Sequence, residues 1–398
     1  MSRVLVAGGS LGGLMAANVL LRAGLDVTLL EKSTSSLDGR GAGIVTHRPL
    51  QNALSRCGVP ADASLGISIE KRVVLDLQGH TIAQTLMPQV LTSWSRLYAL
   101  LLAAFPEERY VRGASVTGFV QNANGVKVSC EDGRSFEADV LIASDGIRSS
   151  VRAVLAPEIQ AEYAGYVAWR GVCDESVLSN LTLDTLFETF GFGLPPGEQI
   201  IGYPVAGQGN SVAKGQRRYN FVWYRPAPDN GILQDLMTDA DGHHHSLGLP
   251  PNKVSWRQVA AARQAARELL APQFAEILEK TAQPFLQPIF DTRSTHLAFG
   301  RVALMGDAGF VARPHVGMGV TKAAEDAVAL CDALEAYGTT PEALQVYESK
   351  RLGEGQAVVE RGRRLGAYMQ ATATGQAALR DATTVMQQTA VDLSTLPV

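Results

Sequence analysis

The sequence predicts an α/β protein built from two intertwined domains. Three observations support this fold class. The chain opens with a strand, a glycine-rich turn, a helix and a second strand; its middle carries short alternating segments separated by Gly and Pro; and strand-then-helix patterns return towards the C-terminus. In addition, 398 residues exceed the usual size of a single hydrophobic core. We therefore expect one domain to be assembled from separate parts of the chain, with a mixed β-sheet domain inserted into it.

The first unit lies at the N-terminus. The apolar run Arg3–Ala7 predicts a buried strand, and the helical pattern after the glycine-rich turn continues to about Ala23. Gly24 is well placed to end this helix, because glycine readily adopts the left-handed conformation found at helix C-termini. Asp26–Glu31 predicts a second strand, which would pair in parallel with the first through a right-handed crossover.

The later elements are predicted from periodicity and turn residues. In the first half of the chain we expect helices at Pro49–Cys57 and Ser93–Phe105, a hairpin near Arg72–Thr85, two strands around the turn Asn122–Gly125 and a strand at Ala138–Ser144. In the second half we expect strands at Gln199–Val205, Arg217–Arg225 and Arg301–Met305, and helices within Asn252–Lys280 and at Val320–Glu335. The chain is expected to be mostly helical from Thr340 and loosely held over Met386–Val398.

These elements predict a division of the chain. Residues 1–70, 91–160 and 285–365 are assigned to the discontinuous domain. Residues 71–90 and 161–284 are assigned to the inserted sheet domain, and residues 366–398 to a helical C-terminal tail.

Composition and charge argue against several classes of protein. Subtracting 39 acidic from 35 basic residues gives a net charge of −4, which disfavours a general nucleic-acid or anionic-membrane binder. No apolar run reaches the roughly 18 residues that span a bilayer, and the N-terminus lacks the layout of a signal peptide. The four scattered cysteines form no CxxC pair, and the run His243–His245 fits a solvated loop, so no metal site is predicted. We expect a cytoplasmic protein.

The glycine-rich turn at Gly8–Gly13 is the first candidate site. It matches the pattern G-x-G-x-x-G except that Ser10 takes the middle place. Such a turn lets the backbone approach a pyrophosphate, and the following helix adds unpaired N–H groups and a positive dipole end. Glu31 ends the second strand, where a carboxylate can hold ribose hydroxyls. The turn predicts dinucleotide binding, with candidate contacts from Gly8, Ser10, Leu11, Gly13, Glu31 and Lys32.

Two later motifs favour FAD over NAD as the dinucleotide. One is Asp145-Gly146 at the end of a strand; the other is Gly306-Asp307, followed by Gly317-Met318-Gly319 and a helix. An acidic side chain at such a strand end can hold a ribityl hydroxyl. The backbone N–H groups of the later turn would face an electron-rich ring edge, whose negative charge the helix dipole stabilises. The candidate FAD contacts in this part of the chain are Val116, Asp145, Gly146, Gly306, Asp307, Pro314, Gly317, Met318, Gly319 and Val320.

In this order, the three motifs resemble those of the class A, single-component FAD-dependent aromatic hydroxylases, the fold group of para-hydroxybenzoate hydroxylase. The resemblance extends from Arg3 to about Arg364 and implies a Rossmann-like FAD-binding domain with an inserted mixed β-sheet domain for the substrate. Phe310 and Thr321 stand where the family pattern has His and Asn. Further segments resemble 2,6-dihydroxypyridine 3-monooxygenase and related hydroxypyridine hydroxylases: Gly8–Leu14, Gly41–Val45, Thr92–Tyr98, Tyr163–Gly171, Gly202–Pro204, Asn220–Tyr224 and Arg313–His315.

The resemblance implies an enzyme that takes electrons from NADH or NADPH, forms a flavin hydroperoxide with dioxygen, and hydroxylates a hydroxypyridine or phenol. It also implies that the nicotinamide cofactor visits the FAD domain transiently, and it suggests a homodimer. Other flavin chemistry on the same fold, such as epoxidation or reduction, remains an alternative. A non-catalytic flavin-binding protein and a plain NAD dehydrogenase are further alternatives.

Several side chains are candidates for direct roles. Three could act as the base that deprotonates a ring hydroxyl, a role that contributes about 100- to 10,000-fold to a rate: His47, Tyr203 and His315. Three aromatic residues could either stack on the substrate or belong to the core: Trp169, Trp223 and Tyr224. By resemblance, three more positions are candidate FAD contacts: Arg40, Gly43 and Arg96.

Overall fold

The structure is a computed structural model that describes residues 2–37, 43–246, 248–371 and 380–392. Its described strands are β1 (Arg3–Ala7), β2 (Asp26–Glu31), β3 (Gly43–Val45), β4 (Ile67–Leu75), β5 (Thr81–Ser93), β6 (Tyr110–Arg112), β7 (Val116–Asn122), β8 (Gly125–Cys130), β9 (Ser135–Ala138), β10 (Val140–Ala143), β11 (Glu162–Asp174), β12 (Thr189–Gly193), β13 (Gln199–Val205), β14 (Arg218–Pro226), β15 (Phe285–Arg293), β16 (Ala298–Phe299), β17 (Val302–Leu304) and β18 (Phe310–Val311). Its described α-helices are α1 (Leu11–Arg22), α2 (Arg48–Arg56), α3 (Trp94–Ala103), α4 (Ser150–Leu155), α5 (Asn180–Leu186), α6 (Ile232–Leu236), α7 (Trp256–Leu269), α8 (Pro272–Lys280), α9 (Gly319–Tyr337), α10 (Pro341–Ala371) and α11 (Ala382–Gln388). The predicted α/β class and the helical C-terminus are confirmed.

A six-stranded sheet with the order β16-β17-β10-β1-β2-β6 forms the first layer. All of its pairs are parallel except β16 with β17. Its central strands β1 and β10 are almost wholly apolar and buried, as expected for a parallel sheet covered on both faces. Three turns follow β1, β10 and β17: the glycine-rich turn, the DG turn at Asp145-Gly146 and the GD turn at Gly306–Ala308. Because these three strands are parallel neighbours, the turns meet at one edge of the sheet.

A nine-stranded mixed sheet with the order β18-β15-β11-β14-β13-β12-β4-β5-β3 forms the second layer. Side chains alternate between its faces, so Val167 and Trp169 of β11 point one way while Ala168 and Arg170 point the other. The face with Trp169 packs in a core with side chains of α7 and α8. The opposite face joins a second cluster, which includes Tyr203 of β13. A smaller sheet, β7-β8-β9, contains the predicted turn at Asn122–Gly125.

The nine-stranded sheet crosses the predicted domain boundaries. Strands β4 and β5 extend on both sides of residues 71–90, where the sequence placed the first part of the inserted domain. Strands β3 and β15 also pair within this sheet, although their residues were assigned to the discontinuous domain. The division itself stays a prediction, and pairing between distant strands explains why its edges are hard to place from local patterns.

The expectation that Met386–Val398 is loosely held is wrong for the described part of that segment; residues 393–398 lie outside the described residues. Met386 is buried, and the guanidinium of Arg72 donates hydrogen bonds to Met386 O (2.5 Å), Thr389 O (2.5 Å) and Ala390 O (2.9 Å). These are carbonyls at and beyond the C-terminus of α11, where a cation is favoured by the helix dipole. Arg72 is itself buried and lies over the ring of Phe190.

All four cysteines are free and buried. Burial raises the pKa of Cys57, Cys173 and Cys331 to about 12, so these thiols stay protonated at neutral pH. Among the described helices, none combines the length and apolar character needed to cross a bilayer.

Replacing Arg72 with Met should loosen the C-terminal segment. The change removes the donor of three buried carbonyls, so we expect the free energy of unfolding to fall by about 3 kcal/mol. Urea unfolding measures this loss, and limited proteolysis should show faster removal of the C-terminal peptide. Arg257→Met is the matched control, because Arg257 pairs with Asp235 at the exposed surface. Equal stability of the two variants would contradict the anchoring role of Arg72.

Candidate active site

A cavity of about 280 Å³ opens at the carboxyl ends of β1 and β10. Gly8 and Ser10 of the glycine-rich turn form part of its wall, beside Ser144. Gly8 has a φ of +106°, and a Cβ on it would lie 2.3 Å from Ser144 O, so only glycine fits. A Cβ on Gly13 would lie 1.8 Å from Gly8 O, so glycine lets α1 pack against the turn. The backbone therefore has the shape that close approach of a pyrophosphate requires.

The first turn of α1 supplies N–H donors at this edge of the sheet. Ser10 is the N-cap residue, and its side chain makes no capping hydrogen bond. The first turn of this helix contains no acidic residue. Its N–H groups and the positive end of its dipole are thus available to an anion. The side chain of Leu11 is buried in the core, so any contact from Leu11 would use its backbone.

Glu31 shapes the same turn. Its Oε2 accepts a hydrogen bond from Gly9 N (2.8 Å), and its Oε1 accepts one from Ser33 N (2.8 Å). Tyr110 Oη donates to Gly9 O (2.9 Å) from the neighbouring strand β6. Glu31 and Lys32 both line the cavity. Since a carboxylate has about four acceptor positions, Glu31 can hold the turn and also accept ribose hydroxyls.

The DG turn forms another part of this wall. Asp145 Oδ2 accepts a hydrogen bond from Ser150 N (2.9 Å), whereas Asp145 Oδ1 is buried without a partner. A buried carboxylate oxygen without a partner is costly, and a ligand hydroxyl would satisfy it. Val116 and Gly146, which the sequence offered as FAD contacts, line the same cavity.

A second cavity, of about 310 Å³, lies between the GD turn and the nine-stranded sheet. Part of its wall comes from turns and the start of α9: Ile147, Asp307, Pro314, Gly317, Gly319 and Val320. The rest comes largely from the nine-stranded sheet, including Gly43, Arg170, Phe190, Tyr203, Tyr224 and Gln287. Trp94, at the start of α3, lines both cavities and stacks on Tyr98. The two cavities are therefore neighbours on either side of Trp94.

Buried charges hold the GD turn in place. Gly306 N donates to Asp326 Oδ2 (2.9 Å), and Lys322 Nζ donates to Gly306 O (2.7 Å). Lys322 is fully buried, 4.0 Å from Asp307 Oδ1, and burial lowers its pKa. Asp307 exposes 54% of its side chain where it lines the cavity, yet desolvation by the surrounding protein still raises its pKa. Asp307 is thus presented to a ligand while Lys322 and Asp326 fix the backbone behind it.

The N-terminus of α9 faces the second cavity. Met318 is its N-cap residue and provides no side-chain cap; the side chain is buried and does not line the cavity. Gly319 has no atom within 4 Å of the position that its Cβ would take, so space for a ligand remains beside the first helical N–H groups. The positive end of this helix would stabilise negative charge on a bound ring. With the unpartnered oxygen of Asp145 and the uncapped start of α1, these features fit FAD.

Arg152 joins the DG turn to the GD turn. It lies on α4 and donates from Nη1 to Ala308 O (2.8 Å) and from Nη2 to Ile147 O. Arg152 could not be singled out from the sequence. Both Arg148 and Arg152 follow the DG turn, and no local pattern indicates that Arg152 is the one that becomes buried. Arg152 is buried, whereas Arg148 is exposed and lines the first cavity.

The sheet brings Tyr203 and Tyr224 to the second cavity but excludes both tryptophans. Trp169 and Trp223 lie on the other face of the sheet, in the core under α7 and α8. Tyr203 packs against Gly43, where a Cβ would lie 2.3 Å from the ring. Burial raises the pKa of Tyr203 well above its ordinary value, so its phenol is neutral at physiological pH. Tyr203 is therefore suited to donate a hydrogen bond rather than to act as an ionised base.

The two candidate histidines lie outside the wall of this cavity. His315 Nε2 is 3.0 Å from Tyr166 Oη, and its ring lies 4.1 Å from that of Tyr224 between centroids. Burial lowers the pKa of His315 to about 3, so the imidazole is neutral. His47 Nδ1 is 3.0 Å from Thr321 Oγ1, and burial lowers its pKa as well. His47 lines a separate, larger cavity of about 900 Å³.

The candidate Arg96 is not brought to either cavity. Arg96 Nη2 donates to Ser64 O (2.8 Å), and neither cavity includes Arg96 in its wall. Trp94, two positions earlier on α3, lines both instead. Arg40 lies outside the described residues.

The histidine run belongs to a loop that Asp239 organises. Asp239 Oδ1 accepts hydrogen bonds from Asp241 N and His243 N (both 2.9 Å), and Asp239 Oδ2 lies 2.8 Å from His245 Nε2. Asp239, Asp241 and His243 each have one possible ligand atom within 4.8 Å of the others. The hydrogen bonds of the loop account for this cluster, and we propose no ion there.

Comparison with known proteins gives a consistent result. A family model described as FAD binding domain matches residues 1–184 and 250–362, and one described as FAD binding domain-like matches residues 163–291. The chain is 30% identical to 2,6-dihydroxypyridine 3-monooxygenase of Paenarthrobacter nicotinovorans over 92% of this chain and 91% of that protein. It is 29% identical to aurachin C monooxygenase/isomerase of Stigmatella aurantiaca, covering 91% and 88%. The solved structure of 2,6-dihydroxypyridine-3-hydroxylase from Arthrobacter nicotinovorans superposes with a TM-score of 0.88 and 29% identity, covering 96% and 95%.

Replacing Asp307 with Ala should weaken FAD binding. The variant loses a carboxylate presented to the cavity, and one charge-assisted hydrogen bond corresponds to about 10- to 100-fold in affinity. The ratio of flavin to protein absorbance after gel filtration measures the bound fraction. Asp332→Ala is the control, since Asp332 lies on α9 in a partly exposed ion pair with Arg56 and lines neither cavity. Full FAD occupancy in the Asp307 variant would exclude this contact.

The stability of the protein should rise with pH between about pH 4.5 and pH 7, in part through His315. Its pKa of about 3 lies below the ordinary 6.5, so the unfolded chain binds more protons in this interval and acid favours unfolding. Full linkage gives about 2 kcal/mol over that range. Urea unfolding of His315→Gln at both pH values should show a smaller difference than the unmodified protein. His296→Gln, at an exposed site, should keep the original difference.

Proposed function

The chain belongs to the FAD binding domain family, and on that premise we propose that it hydroxylates a small, electron-rich aromatic ring, a hydroxypyridine or a phenol. It is an FAD-dependent monooxygenase that uses NAD(P)H and dioxygen. The observation that carries the substrate proposal is the second cavity. Its wall combines the GD turn and the start of α9 with the tyrosine-bearing face of the nine-stranded sheet.

FAD, when bound, supplies the redox chemistry that passes electrons from NAD(P)H to dioxygen. The side chains of this protein supply binding and orientation. We propose that Asp307 and Asp145 hold hydroxyl groups of the cofactor and that the N-terminus of α9 stabilises negative charge on its ring. Tyr203 and Tyr224 orient the substrate ring on the sheet side, and the apolar neighbours Ile201 and Val222 help to exclude water.

The substrate proposal also draws on relatives. The names of two similar proteins specify 2,6-dihydroxypyridine as the substrate, and that of a 28% identical protein specifies 3-amino-4-hydroxybenzoate. Each is an aromatic ring that carries hydroxyl groups, and electron donation from a hydroxyl favours attack by an electrophilic oxygen. The second cavity, of about 310 Å³, would have to hold the substrate beside the cofactor ring, which favours a small substrate.

Two finer points remain proposals. We propose a cytoplasmic location, which is consistent with four free, buried cysteines. The homodimer suggested by the resemblance can be tested by light scattering of the FAD-bound protein.

The function is tested by NAD(P)H oxidation with the FAD-bound protein. We expect hydroxypyridines or phenols to accelerate oxidation, with one equivalent of hydroxylated product for each NAD(P)H consumed. Product identity is read by mass spectrometry with ¹⁸O-labelled dioxygen, which should place one labelled oxygen on the ring. The same rings with the hydroxyl replaced by methoxy are the matched controls and should react poorly.

The outcome separates the proposal from its alternatives. Flavin absorbance without stimulation by any hydroxylated ring would favour other flavin chemistry on the same fold. Stimulated oxidation that yields only hydrogen peroxide would indicate ligand binding without hydroxylation of the tested rings. Either result would contradict the proposed substrate class.

A further inference from the structure

One cation, Arg170, lines the second cavity from the sheet side. It lies on β11 in register with Val222 of β14 and Phe285 of β15. The alternation of the strand directs it to the same face as Tyr166 and Ala168, away from the Trp169 core. Its neighbour Trp169, a candidate for stacking on the substrate, faces that core instead. The register therefore places Arg170 at the cavity and Trp169 in the core.

The charge of Arg170 is not neutralised by a neighbouring carboxylate in the described part of the chain. Its Nη1 donates to the neutral amide oxygen of Gln287 (2.6 Å), and its Nε is buried without a hydrogen-bond partner. Gln287 lines the cavity as well. A half-buried cation with only a neutral partner is unfavourable, and an anionic ligand would offset that cost.

The surrounding charges favour an anion on this wall. Among the described residues that line the cavity, the ionic side chains are Arg170 on the sheet and Asp307 on the GD turn. The other titratable side chains in the wall are Tyr203 and Tyr224. Burial raises the pKa of both phenols while the positive charge of Arg170 opposes that rise. The two tyrosines therefore remain neutral donors beside a positive guanidinium.

We propose that Arg170 binds the oxyanion of a ring whose hydroxyl group is ionised, and so restricts the enzyme to substrates that bind as phenolate-type anions. The inference rests on the proposed function, since it concerns the substrate of the same cavity. The hydroxyl proton leaves to solvent, and an N–H group of Arg170 donates to the resulting oxygen anion. The ring thereby stays electron-rich. Its negative charge is balanced by Arg170 on the sheet wall of the cavity, across from the GD turn.

Equilibrium dialysis of the FAD-bound protein tests the proposal. The probes are 4-nitrophenol, which ionises near neutral pH, 4-nitroanisole, its methyl ether that cannot ionise, and 4-nitrobenzoate, a carboxylate. The unmodified protein should bind 4-nitrophenol at least tenfold more tightly at about pH 8.5 than at about pH 5.5, whereas its affinity for 4-nitroanisole should stay constant. Any titration of Asp307 or the tyrosines would affect both probes and is thereby separated from ionisation of the ligand.

The variants isolate the guanidinium. Arg170→Gln should weaken binding of the 4-nitrophenol anion by about 10- to 100-fold, the range of one charge-assisted hydrogen bond, and should leave 4-nitroanisole within twofold. Arg170→Lys should restore part of the preference. Arg218→Gln is the matched control, because Arg218 lies on β14 but does not line the cavity. Unchanged flavin content in each variant shows that the fold is retained.

Two outcomes would overturn the proposal: equal pH dependence in Arg170→Gln and the unmodified protein, or tighter binding of 4-nitrobenzoate than of the 4-nitrophenol anion. Failure of the proposed function would give a different set of results from failure of this inference. In that case the protein would bind the anion through Arg170 but would hydroxylate no ring, so the binding result would stand while the activity result would not.

Discussion

A buried carboxylate ties the two walls of the active site together. Asp291 lies on β15 with no exposed side-chain surface and accepts hydrogen bonds from Arg313 Nε (2.8 Å) and Arg363 Nε (3.0 Å). Arg313 directly precedes the turn at Pro314, and Arg363 belongs to α10. Leaving such a buried charge unpaired typically costs about 3–5 kcal/mol, so the cluster strongly favours one arrangement. It therefore fixes β15 of the nine-stranded sheet against the segment that leads into the turn at Pro314 and against α10.

The FAD-binding half could be predicted from sequence because its determinants are local. Gly8, Asp145 and Asp307 each lie within three residues of the end of a short apolar strand, and parallel pairing brings the carboxyl ends of these strands to one edge. The motifs thus give both the residue types and their approximate meeting point. The residues that lock the turns together were not visible in this way. Arg152 reaches Ala308 across 156 residues of sequence, and Lys322 shows its role only once its burial beneath Gly306 is known.

A strand pattern alone could not predict which residues of the nine-stranded sheet line the second cavity. Alternation requires Trp169 and Arg170 to face opposite sides, but it does not say which side contains the cavity. That choice follows from helices α7 and α8, which cover the face of Trp169. For helix α3, too, the sequence did not show which side chain faces the cavities: Trp94 lines both, and Arg96 lines neither. Likewise, the C-terminal segment is held in part by Arg72, more than 300 residues earlier in the chain, which no local pattern connects to it.

Positive charge lies on two separate walls of the second cavity. An oxidised or reduced cofactor ring and an ionised substrate ring both carry electron-rich edges, and like charges repel strongly where water is excluded. The N-terminus of α9 offsets negative charge on the cofactor side, and Arg170 offsets it on the sheet side. Asp307 contributes the opposing negative charge, with Lys322 4.0 Å behind it. Their separation would allow negative charge on a bound cofactor ring and negative charge on an ionised substrate ring to be balanced from different sides of the cavity.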